Sequence, residues 1–177
     1  ETKLSKKMQS PRGIMMTEIV VRSAEGIDKN VIIEMLQSLQ DYERALHPGR
    51  RPGADVAEFR YKRITDAAES FNGAVLVAIE KSEIVGLTAG WMIIDEDQLQ
   101  DMEHREHGYI SVLFVSPEHR GKDIAQKLLI SIEQHLVSVG ANRLSMNTLA
   151  RNGPAVTASR AVGFEPFEVK LEKFIGN

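Results

Sequence analysis

The chain has 177 residues, 42% of them hydrophobic and 27% charged, with a formal net charge of −3. That length and balance suit one globular domain with a sizeable core, and the weak negative charge argues against a nucleic-acid binder relying on bulk positive charge. Cysteine is absent, which excludes disulfides, thiolate metal ligands and a cysteine nucleophile and fits a cytoplasmic setting.

Residues 1–16 carry basic side chains but no apolar stretch of the kind a secretory signal needs. They are expected to be a mobile extension or a cloning remnant, ahead of a single domain over 17–177. No apolar run approaches the roughly 18 residues of a membrane span. Ile19 to Arg22 predicts a short strand. Asp28 is expected to cap a helix whose apolar face is Val31, Ile32, Met35, Leu36 and Leu39. The proline- and glycine-rich segment His47 to Gly53 breaks that helix. A second helix is expected from about Asp55 to Phe71, turning Val56, Phe59, Ile64, Ala67, Ala68 and Phe71 inward. Strands follow at Ala74 to Glu80 and Ile84 to Ile94, joined as a hairpin by Lys81, Ser82 and Glu83. The second of them is small or apolar on both faces, as a central strand covered on both sides should be.

After an acid-rich loop, Asp95 to His107, comes the stretch on which the rest is organised. Tyr109 to Val115 is β-branched, aromatic and apolar and predicts a buried strand. Pro117 must end it, since proline cannot donate to the ladder. A basic turn with Arg120, Gly121 and Lys122 leads into a helix marked by Ile124, Ala125, Leu128, Leu129, Ile132 and Leu136, closed by Gly140. Arg143 to Thr148 reads as a strand, Pro154 to Val162 as a short helix, and Phe164 to Phe174 as a closing strand. Periodicity alone therefore gives an α/β or α+β domain.

A strand that turns through glycine into a helix has a chemical use. The helix N-terminus presents unpaired N–H groups and about half a positive charge, which suits a phosphate. Gly121 lets an anion approach the main chain, and Arg120 and Lys122 add charge. An ordinary basic turn explains the same residues equally well, and the turn by itself leaves the two readings level.

The stretch VSPEHRGKDIAQKLL resembles the signature of the GNAT superfamily of N-acetyltransferases: Arg or Gln, two residues, Gly, one residue, then Gly or Ala. Arg120 takes the first position and Ala125 the last, while Asp123 stands where the family usually has Gly. Asn152, Ala155, Gly163 and Phe164 match a second family motif in type and spacing. The resemblance runs from about Ile19 to Phe174. It implies a mixed, mostly antiparallel central sheet with helices on both sides, and acetyl-CoA as cosubstrate.

By that resemblance, the main chain from Arg120 through Gly121, Lys122, Asp123 and Ile124 to Ala125 would hold a pyrophosphate. Leu113, Phe114 and Val115 would pair with the pantetheine arm as a further strand, and one of their N–H groups would polarise the thioester carbonyl. Asn152 would touch the CoA arm or cap the helix after it. Direct transfer also needs a base to deprotonate the amine. Family members often carry a Glu at positions matching Tyr109, Ser111 or Val112, where this chain has none. Glu103, Glu106 and His107 are the nearest candidates, with Tyr109 and Ser111 able at most to hold a water. Ser159 stands where the family commonly has an acidic Tyr.

The implied function is N-acetyl transfer to a primary amine of a small molecule or peptide. Arg50 and Arg51 would suit an anionic group on that acceptor. A catalytically weak module that binds acyl-CoA as a sensor is the alternative, and a phosphate-binding domain for another nucleotide is a third reading. No metal, nucleic acid or membrane partner is expected, and homodimerisation stays open.

Overall fold

The computed structural model describes residues 18–96 and 101–175. The expected extension over 1–16 lies outside them, as does the middle of the acid-rich loop. Strand β1 (Ile19–Ser23) leads to helix α1 (Lys29–Leu46) and helix α2 (Ala57–Ser70). The hairpin of β2 (Ala74–Glu80) and β3 (Glu83–Ile94) follows, then α3 (Met102–Arg105), β4 (Glu106–Val115), α4 (Ile124–Ser138), β5 (Leu144–Met146) and α5 (Gly153–Ala161). The strands lie in the order β1-β2-β3-β4-β5. Neighbours are antiparallel except β4 and β5, which are parallel and joined by α4.

Two cores sit on opposite faces of this sheet. Ile32, Met35, Leu36 and Leu39 of α1 and Ala57 and Ile64 of α2 meet Val77, Leu87, Ala89, Trp91, Val112 and Phe114 on one face. On the other, Leu128, Leu129, Ile132 and Leu136 of α4 are fully buried. They cover Leu76, Ala78, Val85, Met92, Ile110 and Val115. Buried on both faces, β3 is the central strand its composition predicts. Among the described residues no helix is long and apolar enough to cross a membrane.

Several sequence expectations change. Phe59 and Phe71 are 67% and 55% exposed. The buried line of α2 runs through Ala57, Ile64 and Ala68, where small residues let the helix approach the sheet, and Phe59 falls off that line. Asp28 does not cap α1; its carboxylate accepts from Arg22 at 2.7 Å and from the Glu25 N–H at 2.8 Å. The acid-rich loop contains α3, and β4 already starts at Glu106. The strand expected over Arg143 to Thr148 shortens to Leu144–Met146, the residues that pair with Gly108 to Ile110 of β4.

Phe164 to Phe174 is not a strand. Its alternation is real, but a strand exists only where an edge pairs with it. The segment instead runs toward the end of α1, where Glu172 Oε2 lies 2.9 Å from His47 Nε2 and Phe174 meets the His47 ring at 5.9 Å.

Candidate functional site

β5 pairs with β4 only from Gly108 to Ile110. From Ser111 to Val115, no strand among the described residues pairs with the outer edge of β4. The register against β3 passes from Val112 opposite Ala89 to Ile110 opposite Gly90, so Ser111 is an extra residue, a β-bulge. The bulge resets the alternation. Tyr109 before it and Val112 and Phe114 after it all face the α1/α2 core.

The inner ladder decides which main-chain groups are free. Ser116 N–H donates to Val85 O at 2.9 Å. Antiparallel alternation then points Phe114 at β3 and turns the N–H and C=O of Leu113 and Val115 outward. Arg120 Nε donates to Val115 O at 3.2 Å. The Leu113 N–H and C=O and the Val115 N–H remain on the open edge.

The edge leads into the turn. Gly121 and Asp123 both have left-handed backbones, with φ of 78° and 59°. The first helical bond of α4 runs from Lys127 N–H to Asp123 O at 3.0 Å. Ahead of it, the N–H groups of Ile124, Ala125 and Gln126 have no acceptor among the described residues. A Cβ built on Gly121 would have nothing within 4 Å, so the approach to these N–H groups is clear.

Asp123 occupies the position before the helix rather than its first turn, and its side chain makes no capping bond. Its φ explains why glycine suits that position and why Asp is a workable substitute: short polar residues tolerate the left-handed region better than others do. Asp123 therefore carries a conformational cost that glycine would not. Asp123→Gly should melt at or above the parent temperature and Asp123→Ala below it, because left-handed backbone costs an L-residue about 1–2 kcal/mol while glycine's looser unfolded chain takes back about 0.4–1 kcal/mol. Calorimetric melting checks this; an Asp123→Gly protein several degrees less stable than the parent contradicts it.

Both cations of the turn have partners within the chain. Lys122 Nζ donates to Glu80 at 2.9 and 3.2 Å, and that bond holds the Glu80 carboxyl below the usual carboxylate range. Arg120 lies over the Tyr42 ring at 5.4 Å. The Lys122 charge is thus paired, while the exposed Arg120 keeps its charge beside the main-chain N–H groups of the turn.

The structure gathers Ser111, Leu113, Phe114, Val115 and the turn along the C-terminal half of β4, with Tyr109 just before the bulge in the stretch paired with β5. Glu103 in α3 and Glu106 at the first residue of β4 are exposed and lie at the other end. Glu106 and Ser111 are separated by roughly 16 Å of strand at the usual rise. His107 is 3% exposed, with Nδ1 2.9 Å from Arg143 Nη2 and Nε2 2.9 Å from Ser145 Oγ. Nδ1 also lies 3.1 Å from Arg105 O, so in either neutral tautomer both ring nitrogens have a partner and the lone pair is engaged, by Arg143 at Nδ1 or by the Ser145 hydroxyl at Nε2. Tyr109 is half-buried, edge-on to Trp91 at 5.9 Å. Asn152 caps α5, its side chain accepting from Ala155 N–H at 3.2 Å. Ser159 is buried, and its hydroxyl donates to Ala155 O at 2.8 Å.

Sequence reading missed Tyr42, Arg60 and Glu80. Their partners are distant in the chain: Arg60 meets Gln40 across 20 positions and Lys122 meets Glu80 across 42. Only Tyr42, polar-tipped at the end of an apolar helix face, carried a local signal.

A mixed sheet opening beside a helix N-terminus places the chain among α/β proteins able to lay a ligand along a strand edge. The model of the acetyltransferase (GNAT) family matches residues 34–164, and the chain belongs to that family. Among solved structures, the aminoglycoside N-acetyltransferase AAC(6')-Iy in complex with CoA is 18% identical, covers 94% of this chain and 99% of its own, and gives a TM-score of 0.66. A GCN5-related N-acetyltransferase from Ralstonia eutropha JMP134 is 16% identical over 90% of this chain and 100% of its own, with a TM-score of 0.67. A transcriptional regulator from Bacillus halodurans C-125 reaches 0.66 at 17% identity, over 89% and 100%. At these identities the likeness is one of fold. No curated protein sequence matches the chain.

Proposed function

We propose that the protein is an acetyl-CoA-dependent N-acetyltransferase that passes the acetyl group directly to a primary amine of a small molecule or protein. The observation that carries this reading is the open edge of β4 from Ser111 to Val115, running into the unpaired N–H groups of α4. The main chain of Leu113 and Val115 suits an extended pantetheine arm, added as though it were a strand. The N–H groups of Ile124 to Gln126, reached past Gly121, suit a pyrophosphate. Bound acetyl-CoA supplies an acyl group activated as a thioester. The Leu113 N–H, the first outward donor past the bulge, stabilises the negative charge that develops on the acyl oxygen.

Deprotonation of the acceptor is assigned to water held by the Ser111 and Tyr109 hydroxyls. No side chain from Ser111 to Val115 is a carboxylate, and the lone pair of His107 is occupied. In the absence of a protein base, kcat/KM should rise with pH up to the pKa of the amine itself. Two acceptors differing by about two pKa units should then give profiles displaced by about as much. A shared inflection near pH 6–7 for both would instead point to a protein base. The CoA thiol titrates near 8.5, so it leaves tolerably as thiolate, in keeping with a Ser159 hydroxyl already committed to its own helix. The reading includes a cytoplasmic setting.

The engaged His107 and Ser159 also favour a second reading, a catalytically weak module that senses acyl-CoA. Thiol release from acetyl-CoA, followed with and without a pooled amine library, separates the two. Acceptor-dependent release is expected of the transferase; release at the acceptor-free rate across the library, with CoA bound, leaves the sensor.

A further inference from the structure

Arg60 of α2 is an unusual guanidinium for a surface helix. Its side chain is only 18% exposed, and Nη1 donates to Gln40 Oε1 at 2.8 Å. Gln40 is itself buried and oriented, because its Nε2 donates to Arg51 O at 3.1 Å. The amide therefore cannot reverse, and Arg60 is held in one pose. Among the described residues nothing accepts from its Nε or Nη2. Glu43 Oε2 stands 3.8 Å from Nη1 and is shared with Arg50, whose Nε is 3.7 Å away.

The surroundings are under-neutralised. Arg51 has Asp55 at 3.6 Å, but Arg63 has no ion pair among the described residues, and one carboxylate serves both Arg50 and Arg60. Burial pushes the Arg60 guanidinium below its usual range, with Arg50 and Arg63 adding to the effect. Tyr109, just before the bulge, packs against the core that α1 and α2, the helices of Gln40 and Arg60, lay on this face of the sheet. A partly dehydrated, fixed guanidinium with a free N–H fork is the group that pairs bidentately with a carboxylate or phosphate oxygen pair.

Resting on the transferase reading, we propose that the acceptor amine also carries an anionic group, bound by the free edge of Arg60, with Arg50 supplementing it and Tyr109 forming the wall between that anion and the open edge of β4. The acceptors are thus amino acids or amino phosphates rather than simple amines or polyamines. Arg60 sets specificity; it performs no proton transfer.

The test compares 3-aminopropanol, β-alanine and 2-aminoethyl phosphate as acceptors for the parent, Arg60→Gln and Arg60→Lys, with calorimetric CoA binding reporting that each variant is folded. One of the anionic amines should exceed 3-aminopropanol at least tenfold in kcat/KM, and which one separates carboxylate from phosphate. Arg60→Gln should bring that ratio to within threefold, with Arg60→Lys between. The Arg60 Nε–H resonance, assigned by its loss in Arg60→Lys, should move on titration with the preferred anion and not with 3-aminopropanol. A parent ratio below tenfold, or one unchanged in Arg60→Gln, overturns the assignment and leaves the transferase reading standing. Failure of every amine here and of the pooled library overturns the transferase reading, and the resonance then still decides the anion site: no movement with either anion refutes it.

Discussion

Replacing Leu113 with proline is expected to lower turnover about a hundredfold to a thousandfold, the usual scale for losing one preorganised oxyanion donor, while leaving the sheet assembled. Proline removes an N–H, and at Leu113 that N–H points away from β3, so no ladder bond is lost. The side chain contributes to the α4-side core, so some stability is lost as well. Leu113→Ala separates the two effects: it sheds the same packing but keeps the N–H, and should turn over within a few-fold of the parent. Circular dichroism and CoA binding report folding. Equal losses in the two variants would place the donor elsewhere.

The second large effect is expected at Gly121. Gly121→Val should weaken CoA binding at least tenfold, equivalent to about 1.4 kcal/mol. Its φ of 78° is strained for a β-branched residue. No protein atom lies within 4 Å of an added Cβ, so the loss cannot come from a clash within the fold. It comes from the strained turn and from the space the phosphates would use. Gly121→Asn divides these contributions, since Asn tolerates left-handed backbone but still carries a Cβ. Unchanged affinity in a folded Gly121→Val protein would mean that the phosphates bind away from this turn.

The parts of the fold that could be read from sequence were those governed by local periodicity. The 3.6-residue spacing of Leu128, Leu129, Ile132 and Leu136 and the two-sided burial of β3 needed no partner to be recognised. Phe164 to Phe174 has an equally clear alternation and forms no strand, because pairing depends on an edge elsewhere in the chain. Phe59 was misplaced for a related reason: which line of a helix faces the sheet is decided by the small residues Ala57 and Ala68, not by the largest apolar side chains. At the site, the Gly-containing turn before α4 was legible from residue types alone. The bulge at Ser111 was not, since it exists only in the register between β3 and β4. Asp123 looked like a departure from a pattern until its φ showed what the pattern was for. Arg60 and Gln40 could not be joined from sequence at all, being set together by the packing of α1 on α2.

The central claim is that acetyl-CoA lies along the open edge of β4 with its phosphates at the N-terminus of α4. Amide resonances of the protein, followed by NMR during titration with acetyl-CoA, test it most directly. The account predicts that the N–H signals of Leu113, Val115, Gly121, Ile124, Ala125 and Gln126 shift together and exchange more slowly in the complex, while those of β1 and α2 stay in place. Saturable binding that leaves Leu113, Val115 and the start of α4 unperturbed would contradict it.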